Sequence, residues 1–227
     1  MAYALVGAVG AVTTGTLNNA ITPAWGTGAN RTAGDLLICW CYQTSGSSPV
    51  TVPTGWTAAI QPAVAEGVSI FYKIAAGADA APTVPGRSGA VLSGQLAEFS
   101  GNTATPLDQS GVNTAAAVSV VATFGAADAH TGELVCCGGW ADYSASPTAN
   151  ITLTSNNISS MVAAGSNNGT ATTPHWAFGY GFPTTSNAAA TTVTSTSSVS
   201  SGITGIGAAG ASFTLPFAGK SNFLLVF

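Results

Sequence analysis

The sequence predicts an all-β protein, a predominantly antiparallel β-sandwich, and three observations carry that prediction. No window repeats apolar residues at three- and four-residue spacing opposite a face of Glu, Lys or Arg, so the helical signature is missing. Apolar runs and period-two alternations instead recur along the whole chain, which is the strand signature. Turn chemistry separates them, as at Pro53-Thr54-Gly55, Ala76-Gly77-Ala78-Asp79 and Gly101-Asn102-Thr103.

Taken in order, Ala4-Leu5-Val6 reads as a first strand. Met1–Gly10 lacks the basic n-region of a signal peptide and runs into Thr13-Thr14 without a boundary. Leu36–Tyr42 is a continuous apolar run between Gly34-Asp35 and Ser45–Pro49, which suits a central strand covered on both faces. Val68, Ile70, Tyr72 and Ile74 alternate with Ser69, Phe71 and Lys73, the pattern of a half-buried strand. Val118, Val120, Ala122 and Phe124 repeat it. Further strands are expected at Val91–Phe99, Leu134–Trp140, Ile151–Thr154, Ser160–Ala164, Trp176–Phe182, Ser212–Phe217 and Phe223–Phe227. The expected core is continuous and includes Leu36, Ile38, Trp40, Ile70, Tyr72 and Val120. Two polar tracts interrupt the strands, Ser166–Pro174 and Thr184–Gly202. The second is expected as a flexible Ser/Thr-rich segment over 184–202, serving as linker, extended arm or edge hairpin.

The chain is read as a single domain over 1–227, with one internal echo. Ala33-Gly34-Asp35-Leu36-Leu37-Ile38-Cys39 resembles Thr131-Gly132-Glu133-Leu134-Val135-Cys136-Cys137, a Gly-acid pair opening an apolar strand in each. Equivalent strands would mark either two pseudo-repeated halves of one sandwich, 1–110 and 111–227, or two tandem small sandwiches.

Composition bounds the function. Four Lys or Arg and eight Asp or Glu make up 5% of the chain, against about 25% in an ordinary soluble domain. The mean hydropathy of +0.39 argues for a folded chain. The net charge of −4, with the cations scattered at Arg31, Lys73, Arg87 and Lys220, argues against nucleic acid as a partner. No apolar run approaches the ~20 residues of a membrane helix, and no membrane partner is expected. A surface of Ser, Thr, Asn and Gly has little charge repulsion to keep copies apart, which suits a protein that sits against neighbours in an assembly.

Catalytic signatures are sparse. Gly86-Arg87-Ser88-Gly89 is only superficially a nucleophile elbow, and no phosphate-cradling glycine loop is present. His130 and His175 are isolated from each other and from any nucleophile pattern. Asp35, Asp79, Asp108, Asp128 and Glu133 fall at turns or strand starts, where a carboxylate caps backbone amides. Glu66 precedes a strand, while Glu98 within one and Asp142 just past one are the least easily explained. Cys39, Cys41, Cys136 and Cys137 lack zinc-site spacing and read as reduced, buried core thiols. Trp25, Trp40, Trp56, Trp140 and Trp176 read mainly as core, with a sugar-stacking platform as the alternative. The chain is accordingly read as no enzyme, with no catalytic, cofactor or metal site; its interface residues are left unassigned.

The order of motifs resembles a known group. An opening Ala-Leu-Val strand is followed by Thr32-Ala33-Gly34-Asp35-Leu36-Leu37-Ile38 and Val52-Pro53-Thr54-Gly55-Trp56-Thr57. Ile70-Phe71-Tyr72-Lys73-Ile74-Ala75 and Glu98-Phe99-Ser100-Gly101 come next, then Thr105-Pro106-Leu107-Asp108. This resembles the jelly-roll-type β-sandwich proteins of tailed-bacteriophage virions over residues 1–110, and beyond them only through the Gly132-Glu133-Leu134-Val135 echo. The resemblance implies a structural virion protein, first of all a capsid decoration (cement) protein stabilising the head. It implies the major capsid protein and further copies of itself, as a trimer, for partners. The capsid surface, after assembly in the host cytoplasm, is the implied location. A tail or fibre component and a carbohydrate-binding module are the alternatives.

Overall fold

A computed structural model of the chain describes residues 2–44, 48–63, 66–101, 105–125, 132–143, 149–167, 175–183, 190–200 and 203–214. The strands are β1 (Ala4–Leu5), β2 (Thr13–Thr14), β3 (Leu36–Gln43), β4 (Thr57–Ile60), β5 (Gly67–Ile74), β6 (Leu92–Ser100) and β7 (Leu107–Ala115). They continue with β8 (Ser119–Thr123), β9 (Leu134–Tyr143), β10 (Ile151–Ser155), β11 (Val162–Asn167), β12 (His175–Gly181), β13 (Thr192–Ser197) and β14 (Ile203–Phe213). No helix occurs among the described residues. The first sheet runs β1-β6-β3-β5-β4 with β2 also on β6, the second β11-β12-β9-β14-β7, and the third β10-β13-β8. All pairings are antiparallel.

Strand alternation decides which residues meet. Leu36, Ile38, Trp40 and Tyr42 of β3 face the second sheet, where Leu134, Cys136, Trp176 and Phe178 oppose them in the main core. Aromatic pairs cross this interface: Trp40 stacks on Phe178 at 6.4 Å and Tyr42 on Trp176 at 6.0 Å. The other face of the first sheet carries Leu37, Cys39, Cys41 and Phe71, covered by connecting segments through Ile21, Val50, Trp56 and Val84. The other face of the second sheet meets the third. Val120, Ala122 and Ile151 pack there on Ala141, Ala177 and Ala208, and Val193 on Val135 and Cys137. The second sheet is therefore a middle layer, buried on both sides.

Several expectations are revised. Leu36, Ile38, Trp40 and Ile70 share the main core, with Tyr72 partly buried against it, but Val120 belongs to the separate core under the third sheet. The middle layer divides the apolar interior, so the core is not continuous. The strand expected at Ser160–Ala164 starts at Val162, and the one expected at Ser212–Phe217 is the end of β14, which begins at Ile203. Within the tract 184–202, Thr192–Ser197 is the central strand of the third sheet, where Val193, Ser195 and Ser197 point inward. Residues 184–189, 201–202 and the expected strand Phe223–Phe227 lie outside the described residues. Trp56 is 9% exposed and plugs the first sheet's outer core. The turn before it closes by Trp56 N–H donating to the Pro53 carbonyl at 3.0 Å.

Apart from β2, the first sheet is built like the second. In chain order, β1, β3, β4, β5 and β6 take the same places in one sheet that β7, β9, β11, β12 and β14 take in the other. Registers agree: Leu36 pairs with Phe99 and Leu134 with Phe213, while Ile38 pairs with Tyr72 and Cys136 with Tyr180. Both edge strands shift register at the same point, Ala58/Ile60 in β4 and Ala163/Gly165 in β11. Gly34 and Gly132 open β3 and β9 with φ of 93° and 87°, the left-handed region that favours glycine, and donate to Ala75 and Pro183. Corresponding aromatics meet across the interface: Tyr72 lies edge-on to Phe213 at 5.6 Å, and Tyr180 edge-on to Phe99 at 5.2 Å. The change of sheet falls between Ser100 and Leu107, ahead of the expected 110/111 division.

Burial on both faces explains the composition of the middle layer, whose strands read Leu-Val-Cys-Cys-Gly-Gly-Trp in β9 and Gly-Ile-Gly-Ala-Ala-Gly-Ala in β14. Small side chains let both neighbouring sheets approach. A Cβ placed on Gly138 would lie within 3.0 Å of Val68 side-chain carbons, and one on Gly139 within 3.0 Å of Ile151 and Leu153. Gly138→Ala should therefore destabilise the fold by about 1–3 kcal/mol through overpacking, read from the midpoint of denaturant unfolding. An unchanged midpoint would show that the sheets do not meet there.

Candidate functional site

Of the ten charged residues among those described, only Asp108 and Asp142 are exposed. The rest are half-buried or buried and hold the chain to itself. Asp79 accepts from Lys73 and from the backbone N–H groups of Ala76 and Gly77. Arg87 donates to the Pro49 carbonyl and the Ser48 hydroxyl, tying one connecting segment to another. Arg31 donates to the Ala29 carbonyl at 2.7 Å and lies 5.9 Å from the Trp25 ring centroid. Glu98, fully buried, accepts from Thr32 N–H at 2.8 Å, which accounts for a carboxylate inside a strand. Asp128, His130 and Lys220 lie outside the described residues.

Two carboxyl pairs form. At the Gly-acid turn the Asp35 side chain is hydrogen-bonded to Glu98. Burial first, then that bond and the Glu98 charge, push Asp35 up to about 6. At the opposite end of β3, Tyr42 O–H donates to Glu66, with the Asp142 charge close by. Burial, helped by Asp142 and opposed by the Tyr42 bond, pushes Glu66 up to about 7. Asp142 stands out in the sequence, but its grouping with Tyr42 and Glu66 does not, since the three come together only in the folded chain. His175 is buried beside the Ala149 carbonyl at 3.1 Å, with Tyr143 edge-on at 4.9 Å, and burial lowers its pKa. All four cysteines are buried free thiols, held protonated by burial. Trp40, Trp56, Trp140 and Trp176 are buried, so they serve as core and not as sugar platforms.

The outer surface presents a different chemistry. On the solvent face of the third sheet the register aligns Thr152, Thr196 and Ser119 in one row and Thr154, Thr194 and Val121 in the next. Ser119 and Thr196 hydroxyls are 3.0 Å apart. No charged residue falls among the described residues of 109–125, 149–167 and 190–214, which build this layer and much of the middle one. Beside it opens a groove of about 340 Å³ between β10 and β11, lined by Ile151, Leu153 and Phe178 and by the polar Asn150, Thr152 and Ser166. Among the described residues each of those two strands pairs on one side only, and the groove lies between these two sheet edges.

Comparison with known proteins returns no matching family model, curated protein or solved structure. The third sheet's solvent face is polar but uncharged, with a groove of mixed polar and apolar lining beside it, suited to being covered by another surface.

The carboxyl pairs have a measurable consequence. A carboxyl raised in the folded state keeps its proton there while the unfolded chain has lost it. Their stabilisation is complete below the ordinary values of 3.8 and 4.5 and is lost as pH rises through about 6 and about 7. Thermal unfolding should show the melting temperature falling between pH 4.5 and pH 8. Glu66→Gln, which keeps an acceptor for Tyr42 without the charge, should flatten the upper part of that fall. A melting temperature that rises across this range would contradict the assignment.

Proposed function

We propose that this chain is a structural protein of a tailed-phage particle, a decoration protein that binds the outside of the head. The observation that carries the reading is the near absence of exposed charge, two of ten described charged residues, on a well-packed all-β body. A protein free in solution at high concentration relies on surface charge to stay dispersed. Here the charges brace connecting segments instead, and the third sheet offers rows of Thr and Ser with exposed Val118 and Val121. Such a face associates through close packing and neutral hydrogen bonds, and its role is adhesion, with no reaction to catalyse. The motif order from Gly34-Asp35-Leu36-Leu37 through Gly55-Trp56-Thr57 to Phe71-Tyr72-Lys73 supplies the phage context.

The test is sedimentation of the recombinant protein with the heads of the phage that encodes it. Binding at a fixed ratio to the major capsid protein is expected, and retention of the protein only on tails would replace the reading with a tail component. Light scattering should return an oligomer whose mass is the same in low and high salt, because ion pairs scarcely contribute to the contact. A monomer at micromolar concentration would overturn the self-association.

A further inference from the structure

The outer layer is narrower than the sheet it covers, and the groove lies where it stops. Among the described residues the third sheet has three strands and the middle sheet five. β10 is the last strand of the outer layer, packed over β9 and β12, and β11 continues the middle sheet past it. Trp176, Phe178 and Tyr180 of β12 face the main core, so Ala177 and Gly179 face the groove side. A Cβ on Gly179 would lie 3.2 Å from Leu153 Cδ1 and 3.4 Å from Cys137 Sγ. The missing side chain keeps the floor open between them.

We propose that this groove binds a neutral saccharide, and its lining selects that class. No residue that lines it is ionisable, so an ion entering it would give up hydration without meeting a counter-charge. The lining is mixed. Ile151, Leu153 and Met161 offer apolar contact, whereas Asn150, Thr152 and Ser166 carry amide and hydroxyl groups that both donate and accept. A sugar ring has the same division, with C–H groups across its faces and hydroxyls around its rim. Asn150 is fixed through its backbone, its N–H donating to the Ser198 hydroxyl at 2.9 Å and its carbonyl accepting from Ser198 N–H at 3.0 Å. The volume of about 340 Å³ is at the lower end of pockets that enclose small molecules, ~300–1,000 Å³, which suits a short saccharide rather than a protein segment. The Phe178 ring is turned into the main core against Trp40, so the site has no stacking platform and its binding is weak.

The test is saturation-transfer NMR on the full chain, with glucose, galactose, mannose, N-acetylglucosamine and glucuronic acid each in millimolar excess. At least one neutral sugar should receive saturation from the protein, and glucuronate, which brings a charge, should not. Ala163→Arg places a long side chain at an exposed position of the groove wall and should weaken binding by more than about tenfold. Val118→Arg makes a like change at an exposed position outside the groove and should leave binding as it is. Should Ala163→Arg fold poorly by far-ultraviolet circular dichroism, Asn150→Ala asks the same question, because it keeps both backbone bonds to Ser198. Transfer to none of the neutral sugars overturns the site. So does binding that the folded groove variant leaves undiminished, or glucuronate bound as strongly as the neutral sugars. None of these results touches the head-decoration reading, which stands or falls on sedimentation with heads.

Discussion

Burial of the middle sheet on both faces governs which residues its strands can hold and where the chain can place charge. A sheet with one wet face alternates apolar and polar residues, but here successive residues of β9 enter different cores, Cys136 the main one and Cys137 the one under the third sheet. Neither direction has room for a charge, and large side chains fit only where the facing sheet is small. Trp140 covers Gly207 and Val68 covers Gly138, so bulk on one strand is matched by its absence on the next. The Gly, Ala and Cys content of β9 and β14, which would weaken an ordinary strand, is what lets three layers stack.

The same constraint governs where charge goes. With three cores to fill, the chain spends few residues on ionisable groups, and most of those secure turns and connecting segments around the first sheet, as Asp79, Arg87 and Glu98 do. The outer sheet is left to Thr, Ser and Val. Neutrality outside and apolarity inside thus have one origin, and both favour contact with another surface. The open slot beside β10 adds direction to that contact, since it occupies one edge of the middle sheet only.

Much of the fold was legible in the sequence, and the misses have physical causes. Long apolar runs such as Leu36–Tyr42 gave the central strands, and Gly34-Asp35 with Gly132-Glu133 pointed to strands that do occupy matching places. The Gly55-Trp56 turn was readable because a lone large aromatic after a tight turn has to be buried. β4 and β7 were missed, since Thr-Ala-Ala-Ile and Leu-Asp-Gln-Ser-Gly lack the β-branched alternation that marks a half-buried strand. The third layer was hidden for a related reason. Its central strand is Thr-Val-Thr-Ser-Thr-Ser, in which the inward residues are nearly as polar as the outward ones. Val120 was placed in the wrong core because alternation tells which face a residue takes and not which sheet lies beyond it. The groove left no sequence signal of its own.

The middle sheet is shared by two cores and cannot be exposed on one side alone. Cys136 and Cys137 report on it directly, being neighbours that face opposite layers. Native-state thiol labelling, resolved by mass spectrometry, measures the free energy at which each becomes accessible. Equal values are expected for the two, because only loss of the whole stack uncovers either. Labelling of Cys137 while Cys136 stays protected would mean that the third sheet lifts away on its own, and would contradict it.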